Sequence, residues 1–131
     1  MELIIETDAG AVAEELERRG LRILDVLAGP LDRGAFRVEA GMKVYPAPPS
    51  GSTYRRTGTL GRRWTTRPIR TTTEVGREIG NNTEYAPLVQ GDELQATVHR
   101  GRWQTDAQVL RREAPQIVRD VDTTLGELLE W

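Results

Sequence analysis

Residues 60–82 read LGRRWTTRPIRTTTEVGREIGNN, a strand-like stretch set between two regions of helical pattern. Thr65, Thr66, Thr71, Thr72 and Thr73 are β-branched, and Ile69, Val75 and Ile79 stand among polar residues. Such residues suit a pleated, half-buried surface. Ile69, Thr71, Thr73 and Val75 keep odd-numbered spacing, which places them on one face of a strand. Pro68 cannot donate to a ladder, so it marks an edge strand or a break. Asn81-Asn82 is a turn signal, because asparagine tolerates positive φ. Leu94, Ala96 and Val98 alternate again and predict one more strand.

On the N-terminal side, residues 2–6 alternate like a short strand, and Asp8 is placed to cap a helix over residues 9–19. Leu21, Ile23, Leu24 and Leu27 predict a further turn or two of helix ending at Gly29. Pro30 then suits the first turn of a new helix carrying Leu31, Ala35, Val38 and Met42 as its core stripe. Tyr85-Ala-Pro-Leu-Val-Gln-Gly91 reads as a short helical turn or a tight bend. On the C-terminal side, Thr105-Asp-Ala-Gln108 has the form of a capping box. A helix follows, kinked or restarted near Pro115. Ile117, Val121, Leu125 and Leu128 form its apolar face, with Val118 and Leu129 beside them. Helices, then strands, then a helix predict an α+β domain with helices packed on a small antiparallel sheet. The expected organisation is one domain over 1–131: a helical N-terminal region over 1–44, an extended arm over 45–60, a small sheet over 61–98 and a C-terminal helix over 105–131.

The arm reads Tyr45-Pro-Ala-Pro-Pro-Ser-Gly-Ser-Thr-Tyr54. Pro46, Pro48 and Pro49 fix φ and favour an extended, exposed segment. Arg55, Arg56, Arg62, Arg63, Arg67 and Arg70 follow with no carboxylate among them. The net charge of −2 therefore hides a partition. Residues 1–42 carry 5 basic and 9 acidic side chains, 43–77 carry 8 and 1, and 78–131 carry 5 and 10. Segregated charge of this kind leaves two readings, a solvated loop or a partner surface, and the partner would be nucleic acid or the acidic regions of a neighbouring copy.

The makings of a reaction centre are missing. His99 is the sole histidine, and with Arg100 and Arg102 after it in a Gly-containing bend it reads as a surface or turn residue. Ser50 and Ser52 both lie in the Pro-rich arm, which offers a nucleophile neither rigid support nor a base. There is no cysteine and no zinc-type spacing, and Gly58-Thr-Leu-Gly61 runs into arginines instead of the Lys-Ser/Thr of a phosphate loop. No catalytic residue, cofactor or metal ligand is expected, and no apolar run approaches the length of a membrane span.

Four pieces occur in order: the Pro-rich approach Tyr45-Pro-Ala-Pro-Pro-Ser50; Tyr54-Arg-Arg-Thr-Gly-Thr-Leu60 with Trp64; Gly80-Asn-Asn-Thr-Glu-Tyr-Ala-Pro-Leu-Val-Gln90; and His99-Arg-Gly-Arg-Trp103 before a long helix. Over residues 45–130 the chain resembles the small minor tail and neck proteins of long-tailed bacteriophages and prophages, the tail-completion or head–tail joining proteins. That resemblance implies a virion structural protein made in the bacterial cytoplasm. It implies hexameric or higher rings around the DNA channel where tail meets head. The partners would be copies of itself, other neck and tail proteins, and DNA passing through the channel. Residues 46–60 would reach a neighbouring subunit, with Tyr54, Thr57, Gly58 and Leu60 marking the return into the sheet. Asn82, Tyr85, Ala86, Val89 and Gln90 would close the hairpin end. Trp64 and Trp103 would be apolar anchors, and the six arginines would contact subunits or the channel. The rival expectation is a nucleic-acid-binding module that uses the arginine-rich arm.

Overall fold

The computed structural model describes residues 2–4, 9–48, 50–51 and 58–129. Pro49, Tyr54, Arg55, Arg56, Thr57 and the expected cap Asp8 lie outside the described residues. In chain order the elements are β1 (Glu2–Ile4), α1 (Ala9–Arg18), α2 (Ile23–Met42), α3 (Thr59–Arg62), β2 (Trp64–Arg70), β3 (Val75–Asn81), α4 (Ala86–Gln90), a 3-10 turn (Thr97–His99) and α5 (Asp106–Leu129). The class is α+β: helices on an antiparallel sheet of strand order β1-β3-β2.

The long helices α2 and α5 pack against each other, and the sheet covers another side of α2. The predicted stripe Leu31, Ala35, Val38 and Met42 is fully buried, with Leu27 completing it. Each large aliphatic side chain removed from water in this way stabilises the fold by roughly 1.5–3 kcal/mol. From α5 come Val109, Ile117, Val121, Leu125 and Leu129. The helix axes approach closely because Gly34 lies under Ile117 and Gly41 under Val109. A Cβ on Gly34 would sit 2.8 Å from Ile117 Cγ1, and one on Gly41 would sit 2.8 Å from Val109 Cγ1. Rising numbers on α2 match falling numbers on α5, so the two run antiparallel.

β3 is the central strand and turns Val75 and Ile79 into the core. Arg77, between them in the alternation, reaches Asp32 of α2 (2.7 Å) and Thr66 Oγ1 of β2 (3.1 Å). Its guanidinium also lies 4.9 Å from the centre of the Phe36 ring. The middle of the sheet is thereby fastened to α2 by a hydrogen-bonded charge pair as well as by apolar contact. Pro68 sits on β2 at the sheet edge, as its missing N–H requires.

Several expectations need correction. Residues 69–75 are not one strand: the chain reverses over 71–74, where Thr71 N–H donates to the Glu74 carbonyl. The Thr71 hydroxyl accepts from the N–H groups of Thr73 and Glu74, a threonine turn with no Gly or Asn to announce it. No helix ends at Gly29, because α2 runs unbroken through Pro30 and buries it. Similarly, α5 continues through Pro115 with no restart. The apolar face of α5 ends on buried Leu129, while Leu128 is partly exposed. The sheet stops at Asn81, so residues 82–98 lie outside it. Leu94, Ala96 and Val98 form no strand; the Gln95 and Ala96 N–H groups donate to the carbonyls of Gly91 and Leu88. Leu94 and Val98 point to solvent.

Candidate functional site: an aromatic cleft at the root of the arm

The chain leaves α2 through a last turn closed by Lys43 and Val44 N–H donors, and Tyr45 follows. The Tyr45 hydroxyl accepts a hydrogen bond from Trp64 Nε1 at 2.9 Å, joining the start of the arm to the start of β2. Trp64 is partly buried and packs against the core, so it anchors the arm within the chain. On its other side the Tyr45 ring meets Trp103, with centroids 5.1 Å apart and planes inclined at 45°. Trp103 in turn meets the edge of His99 at 6.0 Å. Tilted and edge-on contacts are those the ring quadrupoles favour.

The arm returns at Gly58, whose φ of 77° opens α3 in a left-handed conformation that glycine adopts without strain. Leu60 is buried and its carbonyl accepts from Asn81 Nδ2. The neighbouring Asn82 N–H donates to the Arg63 carbonyl, and Thr83 N–H donates to Asn81 Oδ1. The Asn81-Asn82 pair, expected as a turn, instead ends β3 and extends its pairing with β2 by one bond, tying the end of the hairpin to the returning arm.

Two buried glutamines fix the segment between the sheet and α5. Gln90 Nε2 donates to the carbonyls of Met42 (3.0 Å) and Gln104 (3.3 Å). Gln95 Nε2 donates to those of Val89 (2.8 Å) and Trp103 (3.0 Å). Gln90 Oε1 is itself buried without a partner, so it is the Nε2 donors that fix one loop conformation: removing either side chain leaves buried carbonyls unpaired. α5 begins with the expected capping box: Thr105 N–H donates to Gln108 Oε1 and Gln108 N–H donates to Thr105 Oγ1.

The result is an apolar cleft of about 500 Å3 walled by Tyr45, Tyr85, His99 and Trp103, with Leu60, Leu88 and Val89 as its aliphatic lining. Members of all four sequence pieces meet here. Tyr85 and Leu88 are each about half exposed on its rim. Gln90 and Asn82 support it from outside, and Ala86 lies on α4 away from it. His99, expected as a plain surface or turn residue, is half-buried in the cleft wall. Its Nδ1 is buried without a hydrogen-bond partner. Sequence reading missed Leu88 and His99 as cleft residues; the spacing of Tyr85, Leu88 and Val89 on a short helix was the available signal.

The arginines divide. Arg67 pairs with Glu78 across the sheet (2.9 Å), and Arg70 pairs with Asp25 of α2. Arg62 and Arg63 stand just before β2, and both are exposed. The cleft lining carries no carboxylate, and among the described residues no group of His, Asp and Glu side chains could hold a metal ion. No described helix is long and apolar enough to cross a membrane. No protein-family model, curated protein or solved structure matches the chain.

Proposed function

We propose that the protein is a structural component of a tailed-phage virion that assembles with copies of itself into a ring at the head–tail junction or tail end. It completes or joins the tail without catalytic turnover. The observation that carries this is the convergence of the four sequence pieces on one apolar cleft at the two roots of the arm, Tyr45 and Gly58. An exposed aromatic and aliphatic rim of this kind is the surface of an association site. The segregated charge supports the same conclusion, because a cationic segment on one copy complements acidic segments on the next. Purified protein imaged by negative stain, alone and mixed with tail tubes, is expected to show rings that cap tube ends. Particles with no ring and no tube contact would refute the assignment.

Nucleic-acid binding is the rival. The Arg67 and Arg70 charges are already engaged by carboxylates of the same chain, which weakens a phosphate track along β2. Affinity for random duplex measured against salt concentration separates the two functions. Micromolar binding with a steep negative slope would favour the rival.

A further inference from the structure

α4 forms a ridge between two grooves. On one side is the aromatic cleft, reached by Leu88 and Val89. On the other is a groove of about 420 Å3 where Asp92, Glu93 and Asp106 stand beside Pro87 and Leu94. Among the described residues none of these three carboxylates takes part in an ion pair. Asp106 instead accepts from the N–H groups of Ala107 and Asp92, which fixes its position at the groove floor.

The arm carries the complement of both grooves. Pro46, Pro48 and Pro49 come first, and Arg55-Arg56 follow. Proline-rich extended segments dock on grooves walled by aromatic rings, since their backbone is already ordered before binding. An extended chain advances at most about 3.3 Å per residue. The 7 residue steps from Pro48 to Arg55 span roughly 20 Å, enough to cross a helix about 10 Å wide. The arm's own copy is a poor host. Tyr45 is itself a wall of the cleft, and the residues that leave it, Ala47, Pro48, Ser50 and Gly51, are exposed and line none of it.

We propose that the cleft between Tyr45, Tyr85 and Trp103 is the acceptor for the proline segment of a neighbouring copy, whose arginines then lie over the acidic groove beyond α4. This rests on the self-assembly proposed above and names the contact that makes it. Each copy gives one arm and receives another, a head-to-tail arrangement that closes into a ring when the rotation permits.

The chain has no cysteine, so cross-linking tests the contact directly. Pro48→Cys is placed in one full-length preparation and Leu88→Cys in another, both at exposed positions. Mixed and oxidised, they are expected to give a disulfide dimer. Pro48→Cys with Val118→Cys, on the outer face of α5, is expected to give none. Leu88→Glu in an otherwise wild-type chain is expected to weaken self-association roughly tenfold or more, with the circular dichroism spectrum unchanged. Oligomers that form without the 48–88 cross-link would overturn the cleft as acceptor and leave self-assembly standing. A doubly substituted chain that cross-links only within one copy would overturn it as well. Protein that stays monomeric throughout would overturn both the contact and the assembly.

Discussion

Arg33 and Asp120 join α2 to α5 through a two-pronged contact, Nε to Oδ2 at 2.9 Å and Nη2 to Oδ1 at 3.0 Å. The hydrogen bonds from Arg33 hold the Asp120 carboxyl below the usual carboxylate range; desolvation opposes this, and the charges of Arg33 and Arg37 assist it. The same hydrogen bonds raise the Arg33 guanidinium above its ordinary value. A depressed folded pKa means the unfolded chain takes up the proton first. The pair's contribution is therefore complete above the ordinary carboxylate pKa and is lost as pH falls through the lowered one. Arg33 is largely solvent-exposed, so the pair is worth no more than about 1 kcal/mol. Asp120→Asn is expected to cost up to that amount at neutral pH and to flatten the acid limb of stability. Thermal melts of both proteins between about pH 2 and pH 6 check this. Gly34→Ala acts differently, by forcing a methyl group against buried Ile117. It is expected to lower stability by about 1–3 kcal/mol in urea titration, with the larger loss if α5 cannot shift.

Elements differ in how plainly the sequence announces them. The stripe Leu31, Ala35, Val38 and Met42 and the Thr105–Gln108 box were legible because period and cap chemistry are local, and both are present as expected. Pro68 was legible as an edge marker for the same reason. Pro30 was misleading because a proline suited to a first turn also survives inside a helix when its neighbours are buried. Leu27 and Leu31 supply that burial here, and tertiary packing overrides the local penalty. The hairpin turn at Thr71 was hidden in a run of strand-favouring threonines whose hydroxyl supplied the turn. Leu94, Ala96 and Val98 alternate without a partner strand, and their backbone bonds close locally. The cleft was partly legible: Tyr85, Val89 and Trp103 were singled out, but no local pattern says that Tyr45 and His99 stand beside them. That proximity comes from the long-range link of Gln90 to Met42 and from Gln95, which ties Val89 to Trp103. Gln95→Ala is expected to cost about 1–3 kcal/mol, by orphaning the Val89 and Trp103 carbonyls. Hydrogen exchange should show the loss confined to residues 86–103, with α2 and α5 protected as before.

At the scale of the whole molecule, the proposed assembly gives the folded body and the arm separate duties. The core is built from α1, α2, α5 and β3, and among the described residues none of its buried members lies between Met42 and Leu60. Deleting residues 47–53 is therefore expected to leave the melting transition within about 1 kcal/mol of wild type, since its described residues, Ala47, Pro48, Ser50 and Gly51, are exposed and add little to the core. The deletion removes Pro48 and Pro49 and moves the arginines, so it is expected to abolish the proposed association. Sedimentation velocity on the full-length protein and on the 47–53 deletion, at matched concentrations, tests this separation most directly. Self-assembly through the arm predicts a larger species for the full-length chain and a folded monomer for the deletion. Identical monomer boundaries for both, or a deletion that sediments as the same oligomer, would contradict it.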